Sequence, residues 1–276
     1  MADELERVRK ALRELGKSLQ SLNGDSAPKD VHKLRTASRR VEAIAGVLGA
    51  TDRKKSRRLV ESLEPVRKAA GGVRDMDVLL ADTRKLARYA HGESLSHLVA
   101  HLKIVRQQNA EELQHALHHR HKAALEDIKE YSKFVGSVLK RAKSSERSGT
   151  DQNQNQEIIH SSAMNVLREL GDWKPLDAGN LHEYRLKVKQ LRYTLQLDAN
   201  ADPALVEALG DVQRRIGDWH DWQQLEEIAR EVLLDEKDRV LLDRIGKTVK
   251  RSFERALTAA NALRGRYFVM PFAAGI

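Results

Sequence analysis

The chain has 276 residues, long enough for one large helical domain or two small ones, and carries 49 Lys+Arg against 40 Asp+Glu, a net charge of +9 that favours anionic partners. It contains no cysteine, which excludes disulfide frameworks, thiolate catalysis and Cys-ligated zinc. Met1 to Lys10 reads as neither a signal nor a transit peptide, and no stretch approaches the ~20 apolar residues of a membrane span, so a soluble, cytoplasmic chain is expected.

Leu, Ala, Arg, Lys and Glu dominate and there are only five prolines, so the expected fold is all-α, built of long antiparallel helices. Leu5, Val8, Leu12, Leu15 and Leu19 mark a first helix by their 3–4 spacing, ended at Asn23-Gly24. Ser26 and Pro28 open a second that runs to about Leu48. A third is expected from Asp52 toward Ala70, with Pro65 kinking it or marking its start, and Gly71-Gly72 breaking the chain before a fourth that reaches toward Tyr89. One long helical stretch follows from about Gly92 to Ala142. Residues 144–156 (SSERSGTDQNQNQ) are polar and offer almost nothing to a core, which predicts a flexible linker between a first half, 1–143, and a second, 157–276. Beyond it, helices are expected at about 157–171, 178–199, 203–217, 219–233 and 236–263, the middle one opened by Asp202-Pro203. The apolar tail from Arg266 to Ile276 is expected to pack on the body.

The second half echoes the first. Val31-His32-Lys33-Leu34-Arg35 stands beside Leu181-His182-Glu183-Tyr184-Arg185, and the same register sets Arg39 opposite Lys189 and Val41 opposite Leu191. A later block sets Leu63, Val66, Ala70, Gly71 and Asp75 opposite Leu209, Val212, Ile216, Gly217 and Asp221. Matching order as well as matching residues points to an internal repeat and two pseudo-symmetric helical-bundle halves, with equivalent helices facing a shared groove.

Positions i, i+3 and i+7 share a helix face. His32, Arg35 and Arg39 therefore form one stripe, and His182, Arg185 and Lys189 another, extended by Arg192 and Tyr193. The opposite faces, Val31, Leu34, Val41, Ile44 and Leu48 in one helix and Leu181, Tyr184, Val188, Leu191 and Leu195 in the other, are apolar and belong to the core. Arg offers phosphate a planar fork of donors, Lys a point charge, and His a donor whose charge follows pH. Three to four cations per helix, ~5–6 Å apart, suit an extended chain of phosphates better than one small ligand. Asp75 and Asp221 are expected to orient these side chains through salt bridges or to cap the helices after the glycines. The basic run Lys54, Lys55, Arg57 and Arg58 could extend the patch, but Glu61 and Glu64 lie within helical reach of it.

His32-x-x-Arg35-x-x-x-Arg39-Arg40 and His182-x-x-Arg185-x-x-x-Lys189-x-x-Arg192-Tyr193, with Gly72-Val73-Arg74-Asp75-Met76-Asp77-Val78 after the first, resemble the CHAD domain, the conserved histidine α-helical domain. The resemblance covers nearly the whole chain. It implies two bundle-like halves with a basic surface or channel between them, and binding of inorganic polyphosphate without hydrolysis, often at polyphosphate granules. Carried over residue by residue, it implies His32, Arg35, Arg39, Arg40, His182, Arg185, Lys189 and Arg192 as polyphosphate ligands, with no catalytic residue, metal or cofactor. Glu42 departs from the family pattern, which often has an Arg there, and removes one charge from the first stripe.

Three other constellations compete. Seven of the eleven histidines lie between His91 and His121, and His97/His101 and His115/His118/His119 have spacings that can chelate Zn²⁺ or Ni²⁺. His220-Asp221 is a bare HD pair, which is similar to the start of an HD-type metal-dependent phosphohydrolase site. Nucleic acid is the third reading, since weak non-specific binding follows from charge alone. Aromatics make up only 4% of the chain, and Trp219 and Trp222 are expected in the core rather than stacked on bases.

Overall fold

The computed structural model describes residues 2–22, 27–48, 53–87, 92–145, 152–196 and 201–268. These residues form eight α-helices: α1 (Ala2–Ser21), α2 (Pro28–Leu48), α3 (Arg53–Leu86), α4 (Glu93–Ser145), α5 (Gln152–Gly171), α6 (Leu181–Leu195), α7 (Pro203–Val232) and α8 (Arg239–Leu263). A 3-10 turn, Glu236–Asp238, precedes α8, and a π-turn, Arg264–Phe268, follows it. No strand occurs among the described residues. The chain divides into two compact units, Met1–Ile158 and Ile159–Ile276.

In the first unit α1 packs on α2 and α4, and α3 packs on the same two helices, so four helices close around one core. Val8, Leu12, Leu15 and Leu19 of α1 are buried at the spacing that predicted them, as are Val31, Leu34, Val41 and Ile44 of α2. The side chains of Leu5 and Leu48 lie outside the described ones. At 53 residues, α4 is about 80 Å long.

Gly71-Gly72 does not break the chain, and Pro65 starts no new helix, because α3 runs through all three. Its buried residues, Leu59, Leu63, Val66, Ala70, Val73, Met76 and Leu79, keep an unbroken 3–4 spacing across the glycines. Each interior glycine costs ~1 kcal/mol of helix propensity and the proline about three, but fully burying one Val, Leu or Met side chain returns roughly 1.5–3 kcal/mol. The continuous apolar face outweighs the local breakers. Gly72 also has a packing use: a Cβ there would lie 3.1 Å from the Asn109 side chain of α4.

In the second unit α7 packs on both α6 and α8, and α5 adds Ala163, Val166 and Leu170 to their core. Leu181, Tyr184, Val188, Leu191 and Leu195 of α6 are buried as expected, and so are Trp219 and Trp222 of α7. Asp202 opens α7 by accepting a hydrogen bond from the Ala204 amide at 2.9 Å. Gly217 was expected to end a helix. It lies instead inside α7, which merges the segments 203–217 and 219–233 for the same reason as in α3: Leu209, Val212, Ile216, Trp219 and Leu225 form one continuous buried stripe. Of the positions set opposite one another in the sequence, Leu63 and Leu209, Val66 and Val212, and Ala70 and Ile216 are buried in both units.

The stretch 144–156 contributes to helix ends rather than to a connector throughout, since 144–145 close α4 and 152–156 open α5. Gln and Asn carry only a modest helix penalty, so polarity alone does not make a loop. Residues 146–151 and the tail beyond Phe268 lie outside the described residues.

Candidate functional site

The basic stripe of α2 faces α3. Its core side seats the helix, and this turns Arg35 toward Asp75, with Nη2 3.0 Å from Oδ1. Arg35 Nε is buried without a protein hydrogen-bond partner. His32 is exposed at the start of the stripe. Partial burial, and then the nearby positive charges of Arg74 and Arg35, hold its imidazole below the usual histidine range. Asp75 therefore orients Arg35, one of the two structural roles foreseen for it. The other is absent: Asp75 and Asp221 both lie inside continuous helices, so neither caps one.

Two of the proposed ligands in this unit have further structural ties. Arg40 turns off the stripe toward α1, 3.7 Å from Glu14. Arg39 also has an interaction partner. The departure at Glu42 has a compensation that sequence reasoning missed. Glu42 accepts an ion pair from Arg67 of α3 at 3.3 Å, so a cation absent from α2 is present one helix away. Behind them, Arg106 of α4 meets Asp77 at 2.7 Å. The run from Lys54 to Arg58 is largely occupied: Arg57 pairs with Glu61 at 3.2 Å, Arg58 with Asp127 at 2.7 Å, and Lys55 sits over the Phe134 ring.

The stripe of α6 meets α7 differently. Arg185 Nε donates to the backbone carbonyl of Gln213 at 3.3 Å, and Arg192 Nη1 donates to the side-chain oxygen of the same residue at 3.2 Å. Both guanidiniums lie against glycines. A Cβ on Gly217 would stand 3.1 Å from Arg185 Nη2, and one on Gly210 would stand 3.3 Å from Arg192 Cζ. The glycines of α7 are thus the floor on which two arginines rest, not helix ends. Gln213 carries no charge, so it orients Arg192 while leaving its positive charge uncompensated by contact.

Lys189 Nζ lies 5.7 Å from the centre of the Tyr193 ring. His182 and His220 bring their rings within 4.9 Å of one another, so the histidine of the HD pair lies beside the basic stripe of α6. His220 Nδ1 is 4.0 Å from Asp221. Among the described residues no three His, Asp or Glu side chains are placed to share a metal ion, on α4 or around His220. The His115 and His119 rings do meet on α4, tilted, with centroids 4.3 Å apart. Next to Arg192, Gly210 and Gln213, an open recess of about 460 Å³ is bordered by Glu207, Asp211 and Arg214.

Sequence spacing found the stripes of both helices. It missed Arg67, Gly210 and Gln213, because nothing in their own neighbourhood says which helix they will face. No helix among the described residues is long and apolar enough to cross a membrane.

The family model for the CHAD domain matches residues 6–230. The crystal structure of the CHAD domain from the plant Ricinus communis shares the fold, with 16% identity, a TM-score of 0.64, and coverage of 98% of this chain and 92% of that one. PptA from Streptomyces chartreusis is similar at 15% identity and a TM-score of 0.61, over 96% of this chain and 99% of its own. No curated protein matches the chain. With the match spanning both His-x-x-Arg helices and most of the length, this chain belongs to the CHAD domain family.

Proposed function

We propose that the chain binds inorganic polyphosphate without hydrolysing it, through the cationic faces of α2 and α6, with His32, Arg35, Arg39, Arg40, His182, Arg185, Lys189 and Arg192 as the first candidates. The observation that carries this reading is the seating of Arg185 and Arg192 on Gly217 and Gly210, both held by the neutral Gln213. The Gln213 carbonyl and side-chain amide fix the direction of the two guanidiniums and add no negative charge of their own. Two guanidiniums about two helical turns apart then present donor forks to successive anionic groups on an extended ligand. Fixing them beforehand reduces the ordering cost of binding.

In the first unit carboxylates hold the cations, Asp75 on Arg35 and Glu42 on Arg67. A bound phosphate competes with these carboxylates for the two guanidiniums. The non-catalytic part of the proposal rests on the chemistry of the side chains at hand. They bind and orient anions, and His220 lies against the His182 ring at 4.9 Å. A chain with this activity would sit in the cytoplasm at polyphosphate granules.

Competition among long-chain polyphosphate, tripolyphosphate and mixed-sequence DNA, measured by fluorescence anisotropy at several salt concentrations, tests this. Submicromolar binding of long polyphosphate, steeply weakened by salt and much tighter than binding of DNA, is the expected result. Equal affinity for DNA would overturn a dedicated polyphosphate site. Phosphate release on adding Mg²⁺, Mn²⁺ or Zn²⁺ would overturn binding without hydrolysis.

A further inference from the structure

The recess beside Arg192 has a neighbour on the other flank of α7. It holds about 500 Å³, lies between α7 and α8, and is bordered by Arg215, Arg251, Arg255 and the carboxylates of Asp211 and Glu254. Asp211 borders both recesses. Its two oxygens hold two different arginines, Arg214 through one and Arg215 through the other, the latter at 2.7 Å. Arg214 borders the recess on the α6 side and Arg215 the recess on the α8 side. One carboxylate on the outer face of α7 therefore splays a cation to either flank. The basic surface of the second unit continues across the helix instead of stopping at Arg192.

Arg251 and Arg255 complete the path. They are four residues apart on α8, so they stand on one face, and both are exposed. Among the described residues neither makes a hydrogen bond or an ion pair. Like charges at this spacing repel, and nothing in the core requires them there. An anion in the recess would relieve that repulsion. These two residues also lie beyond the span 6–230 matched by the family model, so the family resemblance assigns them nothing.

We infer that the anion-binding surface of the second unit is a track that runs from Arg192, across α7 by way of Arg214 and Arg215, to a second phosphate subsite at Arg251 and Arg255 on α8. This inference rests on the proposed polyphosphate binding and extends it. It makes chain length the property that the second unit reads: a short phosphate fills the α6 face alone, whereas a long one also occupies the α8 recess. Asp211 is a positioning residue in this arrangement, because it would repel phosphate itself but fixes two arginines that attract it.

The test uses the full chain with long-chain polyphosphate and tripolyphosphate as the probes, each titrated at several salt concentrations. Arg251→Gln/Arg255→Gln removes the subsite, and Lys247→Gln/Lys250→Gln removes the same charge from exposed positions of α8 outside the recess. All four changes are exposed, and unaltered circular dichroism and urea midpoints would show that folding is intact. For the arginine pair, long-polyphosphate affinity should fall about tenfold and the salt slope by roughly one to two, as expected for two lost phosphate contacts. Tripolyphosphate affinity should stay within about twofold of wild type. Wild-type affinity for long polyphosphate in the arginine pair would overturn the track while leaving the α6 face in place. An equal loss in the lysine pair would do the same, by showing diffuse attraction. A wild-type chain that fails to bind long polyphosphate would remove the parent reading and the track together.

Discussion

Replacing Gly217 with alanine sets two physical effects against each other at one atom. In a helix interior, alanine is favoured over glycine by about 1 kcal/mol, and Gly217 lies well inside α7. The added Cβ, however, would stand 3.1 Å from Arg185 Nη2, closer than a carbon and a nitrogen normally approach. The guanidinium must move outward, and its hydrogen bond to the Gln213 carbonyl would stretch or break, a net loss of about 0.5–1.5 kcal/mol. The two nearly cancel, so the stability of the variant should stay within about 0.5 kcal/mol of wild type. Binding has no such compensation. Arg185 would lose its fixed direction, and polyphosphate affinity should fall by about three- to tenfold, close to the cost of ordering one long side chain. Gly71→Ala is the matched control, since a Cβ at Gly71 meets nothing within 4 Å. It should raise stability by about 1 kcal/mol with binding unchanged. Urea unfolding and anisotropy titration on the same preparations measure both quantities. If Gly217→Ala gains the full helix propensity and binds as wild type, the glycine is no seat for Arg185 and the reasoning fails.

Arg192→Ala should weaken polyphosphate binding by roughly 1–3 kcal/mol, the range for charge-assisted hydrogen bonds, with an unchanged urea midpoint because its partner is a half-exposed amide; calorimetric titration reads this. Glu42→Gln should tighten binding and steepen its salt dependence by about one unit of slope, because Arg67 is released to the ligand. The lost pair is partly exposed and should cost at most about 1 kcal/mol of stability, so an unchanged slope would count against Arg67 as a compensating cation. Binding should also tighten as pH falls. The free His32 imidazole titrates below 6.5, held down by burial, Arg74 and Arg35, and a polyanion favours its charged form, which raises that value on binding. The gain therefore starts as pH drops through the bound-state value and is complete below the free-state value; His32→Gln should flatten this part of the pH profile. The same depression predicts that His32 lowers folding stability as pH falls below 6.5, with no effect above it.

The helices and their core faces were legible in the sequence, and the reason is local. A helix writes its buried side as a 3–4 spacing within a few turns, so Val31, Leu34, Val41 and Leu181, Tyr184, Leu191 could be placed before any neighbour was known. The basic stripes followed from the same geometry, since His32, Arg35 and Arg39 share a face whatever packs against it. The helix breaks at Gly71-Gly72 and Gly217 were misread for a related reason. Glycine's local preference is weak, about 1 kcal/mol, and the apolar stripe that overrides it extends over the whole of α3 or α7.

Tertiary structure alone decided what each cation meets. Arg35 reaches the Asp75 carboxylate on α3, and Arg185 reaches the Gln213 backbone carbonyl 28 residues away on α7. Glu42 meets Arg67, and Arg192 meets Gln213. These pairings set how much charge each face retains for a ligand, and each depends on two helices approaching at one rotation and one register. Spacing along a single helix specifies which side chains share a face. It carries no information on the partner that will stand opposite, because that partner is fixed by the packing of the cores behind both.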